Sequence, residues 1–132
     1  MSESHEVMEG VAHQVRAALE VADLSAFADL LDPDVHWGPP DARRPTCRNR
    51  DQVLAWYRRG AASGVRAQVS ETVVFDDRIL VGLAVHGRPG SSEEGGTTSR
   101  WQVLTVRDGR VVDIVGFEAP SDALARAQMP GT

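Results

Sequence analysis

No lysine occurs among these 132 residues: all 14 basic side chains are arginines. That absence excludes Schiff-base chemistry, a lysine general base and a phosphate-binding-loop lysine. Cysteine is nearly absent as well. Cys47 stands alone, so the chain offers neither an internal disulfide framework nor a cysteine-based zinc site. No apolar run approaches the roughly 18 residues of a membrane span. The acidic start Met1-Ser2-Glu3-Ser4-His5-Glu6 is followed by no apolar stretch, so no secretory signal and a cytoplasmic location are expected. Positive charge is short: the net charge is −5, which argues against a nucleic-acid partner, whose phosphates need a basic surface. The four histidines are scattered without paired spacing, so no metal site and no cofactor are expected.

What remains is the composition of one globular domain spanning 1–132, with 42% hydrophobic and 25% charged residues. Val7, Val11, Val15 and Ala18-Leu19 recur at helical spacing and predict a first helix from about Glu6 to Val21. Asp23 is a suitable N-cap for a second, Leu24 to Leu31, with Leu24, Phe27 and Leu31 on its buried stripe. Asp32-Pro33-Asp34 stops that helix, and a short strand Val35-His36-Trp37 follows. After a proline-rich loop, Gly38 to Arg48, Asn49 or its neighbour caps a third helix, Arg50 to about Ala62.

From Val65 the period changes to two. Val65, Ala67, Val69, Glu71, Val73 and Phe75 share one face of a long strand. Asp76-Asp77 turns into Ile79–Val85, apolar on both faces and so more central in the sheet. The glycine- and serine-rich stretch 86–99 predicts a flexible hairpin loop. Trp101–Arg107 and Arg110–Glu118 are the last strands, joined by the type I′ signal Asp108-Gly109. Ser121-Asp122 caps a brief helical turn, and 1–5 and 120–132 are peripheral. Three helices followed by an antiparallel meander predict an α+β domain whose sheet wraps over helices.

This order resembles the nuclear transport factor 2-like superfamily, and within it the SnoaL-like branch. The resemblance rests on Asp23–Val35, on Asn49-Arg50-Asp51-Gln52-Val53-Leu54-Ala55-Trp56-Tyr57, and on Trp101–Val111. It implies a cone: three N-terminal helices packed in a strongly curved mixed or antiparallel sheet around a deep, mostly apolar cavity. It also implies homodimers through the outer sheet face. Some members of the branch are isomerases, dehydratases, epoxide hydrolases or polyketide cyclases, and others only bind.

The known catalytic sets do not carry over. Where the resemblance to ketosteroid isomerases calls for a tyrosine, an aspartate base and a protonated aspartic acid, this chain has Val15, Trp37 and Gln102. Where limonene-type epoxide hydrolases have Asp-Arg-Asp, it has Arg100, Gln102 and Gly116. Asp113 and Glu118 are the carboxylates near the sheet end where polyketide cyclases of the branch place an acid or base.

If Gln102 faces the cavity, pleating places Leu104 on the same face, with Ile114, Gly116 and Glu118 on the last strand. The expected wall is Trp37, Ile79, Val81, Leu83, Gln102, Leu104, Ile114 and Glu118, with Tyr57 reaching in from the third helix. Two readings stand for the aliphatic members: cavity lining or filled core. Glu118, if desolvated there, would be a general acid or base near neutral pH; at the mouth it would be an ordinary solvated acid. Cys47, beside Arg48 at a helix start, is either an activated thiolate or a structural thiol. Arg43, Arg44, Arg48 and Arg50 are either an anion-collecting cluster or a solvated loop. Trp56 and Trp101 are expected to point away from the cavity, with Trp101, Val103 and Thr105 offered to a second copy.

The leading expectation is a module that binds a small, largely apolar molecule. The alternatives are a polyketide cyclase, isomerase or dehydratase using Glu118, helped by Gln102, Tyr57 or His36, and a purely structural dimer domain with a filled cone.

Overall fold

The computed structural model describes residues 2–21, 23–40, 46–62, 64, 66–86 and 97–128. Helix α1 spans Ser2–Glu20, α2 Leu24–Leu30, and strand β1 Leu31–Gly38; α3 (Arg50–Ala62) comes next. The meander β2 (Arg66–Phe75), β3 (Arg78–His86), β4 (Thr97–Arg107) and β5 (Arg110–Phe117) follows, and α4 (Pro120–Gln128) ends the fold. The five strands form one open mixed sheet in the order β1-β5-β4-β3-β2, with β1 parallel to β5 and the other pairs antiparallel.

Caps set the helix starts. The Asp23 carboxylate accepts from the Ala26 N–H at 3.0 Å. At α3 the Asn49 side chain accepts from the Gln52 N–H at 2.9 Å, while Gln52 Oε1 accepts from the Arg48 N–H at 2.7 Å, so each satisfies a donor near the helix start. The Asp108-Gly109 turn has φ values of 53° and 77°, the doubly left-handed backbone of a type I′ hairpin.

Several expectations need correction. Val7 is half exposed, and Met8 takes its place on the buried stripe of α1. The strand expected at Val35–Trp37 is eight residues long and starts directly after α2; it tolerates Pro33 because β1 is an edge. A register shift between Val69 and Glu71 swaps the faces of β2, so Val74 packs with the inner core and Phe75 with the outer one. The loop expected over 86–99 is shorter at both ends, because His86 pairs with Thr97 in the β3–β4 ladder; 87–96 lie outside the described residues. The brief C-terminal turn is a helix of nine residues.

The inner sheet face packs against α1, α2 and α3 around Phe27, Leu31, Ile79, Leu104 and Ile114, all essentially without solvent contact. The outer face has its own cover. Ala123 and Ala127 of α4 pack with Leu80, Val103, Val115 and Phe117. Val103, expected on a surface for a second copy, is therefore buried within its own chain, while Trp101 and Thr105 stay partly exposed. Arg78 Nη1 donates to the Arg126 carbonyl at 2.6 Å and ties β3 to the last turn of α4, where helix carbonyls lack internal partners.

Asp113 on β5 sits beneath this helix. Burial pushes its carboxyl above the ordinary value of 3.8, against the opposing pull of Arg126, His36 and Arg78. The folded state thus holds this proton more tightly than the unfolded chain, and Asp113 subtracts stability as pH rises from 3.8 through the raised value. Asp113→Asn should raise the melting temperature at neutral pH, with the gain fading as the pH falls through the raised value and absent below about 4. Thermal melts across that range check it; a lower melting temperature at neutral pH would mean that the pull of Arg126 and Arg78 outweighs burial.

Candidate functional site

Between the helices and the inner sheet face lies a cavity of ≈ 1240 Å³. All three tryptophans of the chain and its single tyrosine border it. Trp37 is held from both sides. It pairs with Ile114 in the parallel ladder and exchanges backbone hydrogen bonds of 3.0 and 2.9 Å with Cys47. Its indole lies against Trp56 of α3, with ring centroids 4.2 Å apart and planes tilted by 36°. Tyr57 meets Trp56 and Phe27 edge to face, at 5.4 and 5.2 Å. These ring contacts restrict the rotamers of Trp37, Trp56 and Tyr57.

Polar groups are few and deep. Gln102, 7% exposed, is the one buried polar side chain among the described residues. Its Nε2 donates to the Tyr57 hydroxyl at 3.1 Å, and the reverse contact, Tyr57 Oη to Gln102 Oε1, is 3.5 Å. Burial pushes the Tyr57 phenol up to about 12, against the smaller opposing effect of the Gln102 hydrogen bond. The Trp37 indole N–H lies close enough to favour the phenolate slightly. Among the described residues, however, its buried nitrogen has no partner in hydrogen-bond geometry.

The charged side chains that border the cavity stand at its mouth. Glu20, Arg59, Arg66, Glu118 and Asp122 are exposed, and Arg100 is partly so. Glu118 pairs with Arg100 at 3.4 Å, and its side chain is 83% exposed. The desolvated environment that would make it a general acid is not where the structure puts it.

Trp37, Tyr57, Leu83, Gln102 and Glu118 thus border one hollow, whereas Ile79, Val81, Leu104 and Ile114 are solid core on the same sheet face. Trp56, expected to point away, is part of the aromatic wall, and Trp101 borders the cavity while packing with the outer cluster. Sequence reasoning also missed Phe27 and Leu24 of α2 as cavity residues. Their helical stripe was legible, but not that its upper end faces space. Gly116 is opposite Gln102, and a Cβ there would meet Trp37 Cζ2 at an ordinary 3.9 Å. The missing side chain helps keep the hollow open.

His36 is exposed on the opposite face from Trp37, and Asp113 lies under α4 rather than in the cavity. Cys47 is 3% exposed in the core, and burial pushes its thiol above 9.0, with Arg59 opposing. That environment suits a structural thiol. Arg43 and Arg44 lie outside the described residues. No cluster of metal-ligating side chains occurs among the described residues.

With one tyrosine in the chain, its phenolate absorbance reports Tyr57 alone. Titration should give a midpoint near 12, above the ordinary 10.0. Gln102→Leu, which removes a hydrogen bond that favours the phenolate, should move it higher still. A midpoint near the ordinary value, with circular dichroism confirming the fold at the same pH, would put the hydroxyl in water.

The SnoaL-like domain family model matches residues 11–114. No curated protein matches the chain significantly. Among solved structures, a candidate polyketide cyclase from Sinorhizobium meliloti is 24% identical, with a TM-score of 0.64 over 82% of this chain and 94% of the other. A protein from a soil-derived mobile gene cassette is 19% identical, with a TM-score of 0.71 over 94% and 98%. TerC, co-crystallised with polyporic acid, is 16% identical, with a TM-score of 0.68 over 92% and 98%. At these identities the structures share a fold with this chain. The match across most of its length makes the chain a member of the SnoaL-like domain family, with the nuclear transport factor 2-like fold.

Proposed function

We propose that this chain binds a small, largely apolar molecule in the cavity of its inner sheet face. The observation that carries the reading is the distribution of polarity. An aromatic wall and a neutral hydrogen-bonding floor lie inside, while the bordering charges stand at the mouth. Apolar enclosures with a few placed polar groups are the usual form of small-molecule sites. TerC, a structural neighbour at 16% identity, was co-crystallised with a small molecule, polyporic acid, which is in keeping with a binding role. Acid–base chemistry through Glu118 has less support, because that carboxylate is solvated and paired with Arg100.

The test fills the hollow. Gly116→Leu places its first carbon in ordinary contact with Trp37 and the rest of the side chain in the cavity. The uncharged dye N-phenyl-1-naphthylamine should bind the wild type saturably. The variant should bind it about tenfold or more weakly at an unchanged melting temperature. Non-saturable dye uptake, or equal binding by a folded variant, would overturn the proposal.

A pairing of two copies through the outer face belongs to the same reading. It is narrowed to the part that α4 leaves open around Trp101 and Thr105. Sedimentation equilibrium should give a two-copy mass for the wild type and a one-copy mass for Thr105→Arg. A one-copy mass for both would remove the pairing.

A further inference from the structure

Four side chains stand abreast on the outer sheet face, on neighbouring strands: His36 pairs with Asp113, Asp113 with Thr105, and Thr105 with Arg78. The last turn of α4 reaches this row. Arg78 Nη1 donates to the Arg126 carbonyl at 2.6 Å, and the Arg126 guanidinium lies over the Phe117 ring, 6.0 Å from its centroid. Ala123 and Ala127 supply the buried surface of the helix, and alanine buries little apolar area. A helix of nine residues is marginal in water on its own, so its helical amides report whether it is seated. The start of α4 stands at a different site. Ala119 and Asp122 border the cavity mouth, and Trp101 and Phe117 border the cavity while packing in the cluster that α4 covers.

We propose that α4 is a proton-operated strap: a proton on Asp113 fastens it across the outer sheet face, and ionisation of Asp113 loosens both the helix and the cavity mouth that its first turn borders. The fastening stands on the outer face alone. The effect on the mouth rests on the ligand-binding reading above and adds a control to it.

Fastened, α4 shields Asp113 from water, and burial favours the protonated carboxyl. Lifted, the helix leaves the carboxyl in water, where it titrates near the ordinary 3.8. Three cations face Asp113 and favour its charge: Arg126 from α4, His36 from β1 and Arg78 from β3. His36 and Arg78 belong to the sheet and stay beside the carboxyl in both states, so they contribute little to the difference. Arg126 leaves with the helix and opposes the effect, but burial is the larger influence. Fastening is therefore strongest in acid and weakens as the pH rises from 3.8 through the raised value.

Hydrogen exchange of the α4 amides, from Ala123 with its 3.2 Å bond to the Ala119 carbonyl onward, tests the strap between about pH 4 and 8. Their protection in the wild type should fall by about threefold or more across that range. It should stay below that of the Ile79 and Leu104 amides, because the strap lifts without global unfolding. Asp113→Asn should remove the fall and His36→Gln should retain it. Should Asp113→Asn fail to fold, NMR titration of the wild-type Asp113 carboxyl must match the midpoint of the fall. Flat protection in the wild type, a fall that persists in Asp113→Asn, or equal protection in strap and core overturns the proposal. For the mouth, N-phenyl-1-naphthylamine should dissociate from the wild type about threefold or more faster at the upper pH, and at one rate from Asp113→Asn. Equal rates while the strap still responds overturn the link to the mouth. A dye that does not bind defeats the ligand-binding reading and the link with it, while amide exchange still decides the fastening.

Discussion

The parallel pairing of β1 with β5 is the contact on which the other features depend. β1 is inserted between the second and third helices, and among the described residues its ladder partner is the last strand of the meander. That pairing joins the helical first half of the chain to the sheet of the second half. It aligns Trp37 with Ile114 and Gly38 with Val115. Without it the helices could slide on the apolar inner face, because hydrophobic contact is not directional. Backbone hydrogen bonds are directional, and with the Cys47 bridge on the other side they fix the height at which the indole stands in the cavity. The wall formed by Trp37, Trp56 and Tyr57 is positioned by this ladder and not by its own stacking, which contributes only about 0.5–1.5 kcal/mol per pair.

The second constraint is that both sheet faces are apolar and each needs cover. On the outer face the cover is close and complete over its centre, because α4 presents alanines that let its backbone approach Leu80, Val103 and Val115. On the inner face three helices cover one part of the sheet to full packing and stand clear of another. Depth along the strands therefore decides chemistry. Leu104 and Gln102 share one face of β4, yet Leu104 is core and Gln102 borders the cavity.

This distinction marks how far the sequence can be read. Structure is legible where a residue's own conformation or a neighbouring backbone group decides it. The Asp23 and Asn49 caps, the Asp108-Gly109 turn and the strand alternation are of that kind. Pleating correctly assigns Gln102 and Gly116 to the inner face, but it carries no information about depth. Val81, Leu104 and Ile114 thus look like cavity lining until the helices are placed over them. The bulge at Val69/Glu71 has no distinctive residue to announce it; opposite it is Gly82, where an added Cβ would fall 2.7 Å from Ser70 Oγ. Trp56 is missed because successive helical residues differ by about 100°, and only a wide hollow accommodates both it and Tyr57. The α4 signal is present as Ala123 and Ala127 at i, i+4 behind Pro120, but alanine is too weakly apolar to mark a buried stripe.

The character of the floor follows from the cost of burial. An unpaired carboxylate at the depth of Gln102 would lose several kcal/mol of hydration and would respond by holding its proton. A neutral amide and phenol meet the same surroundings at far lower cost, since each supplies the other with a hydrogen bond. The indole N–H is the exception. Its nitrogen is buried without a hydrogen-bond partner among the described residues. A site that hydrogen-bonds its ligand discriminates more sharply than one that only encloses it, because the wrong ligand leaves a buried group unpaired. On the proposed binding reading, the aromatic wall takes up a flat apolar frame and the buried polar atoms of Tyr57 and Gln102 set the selectivity.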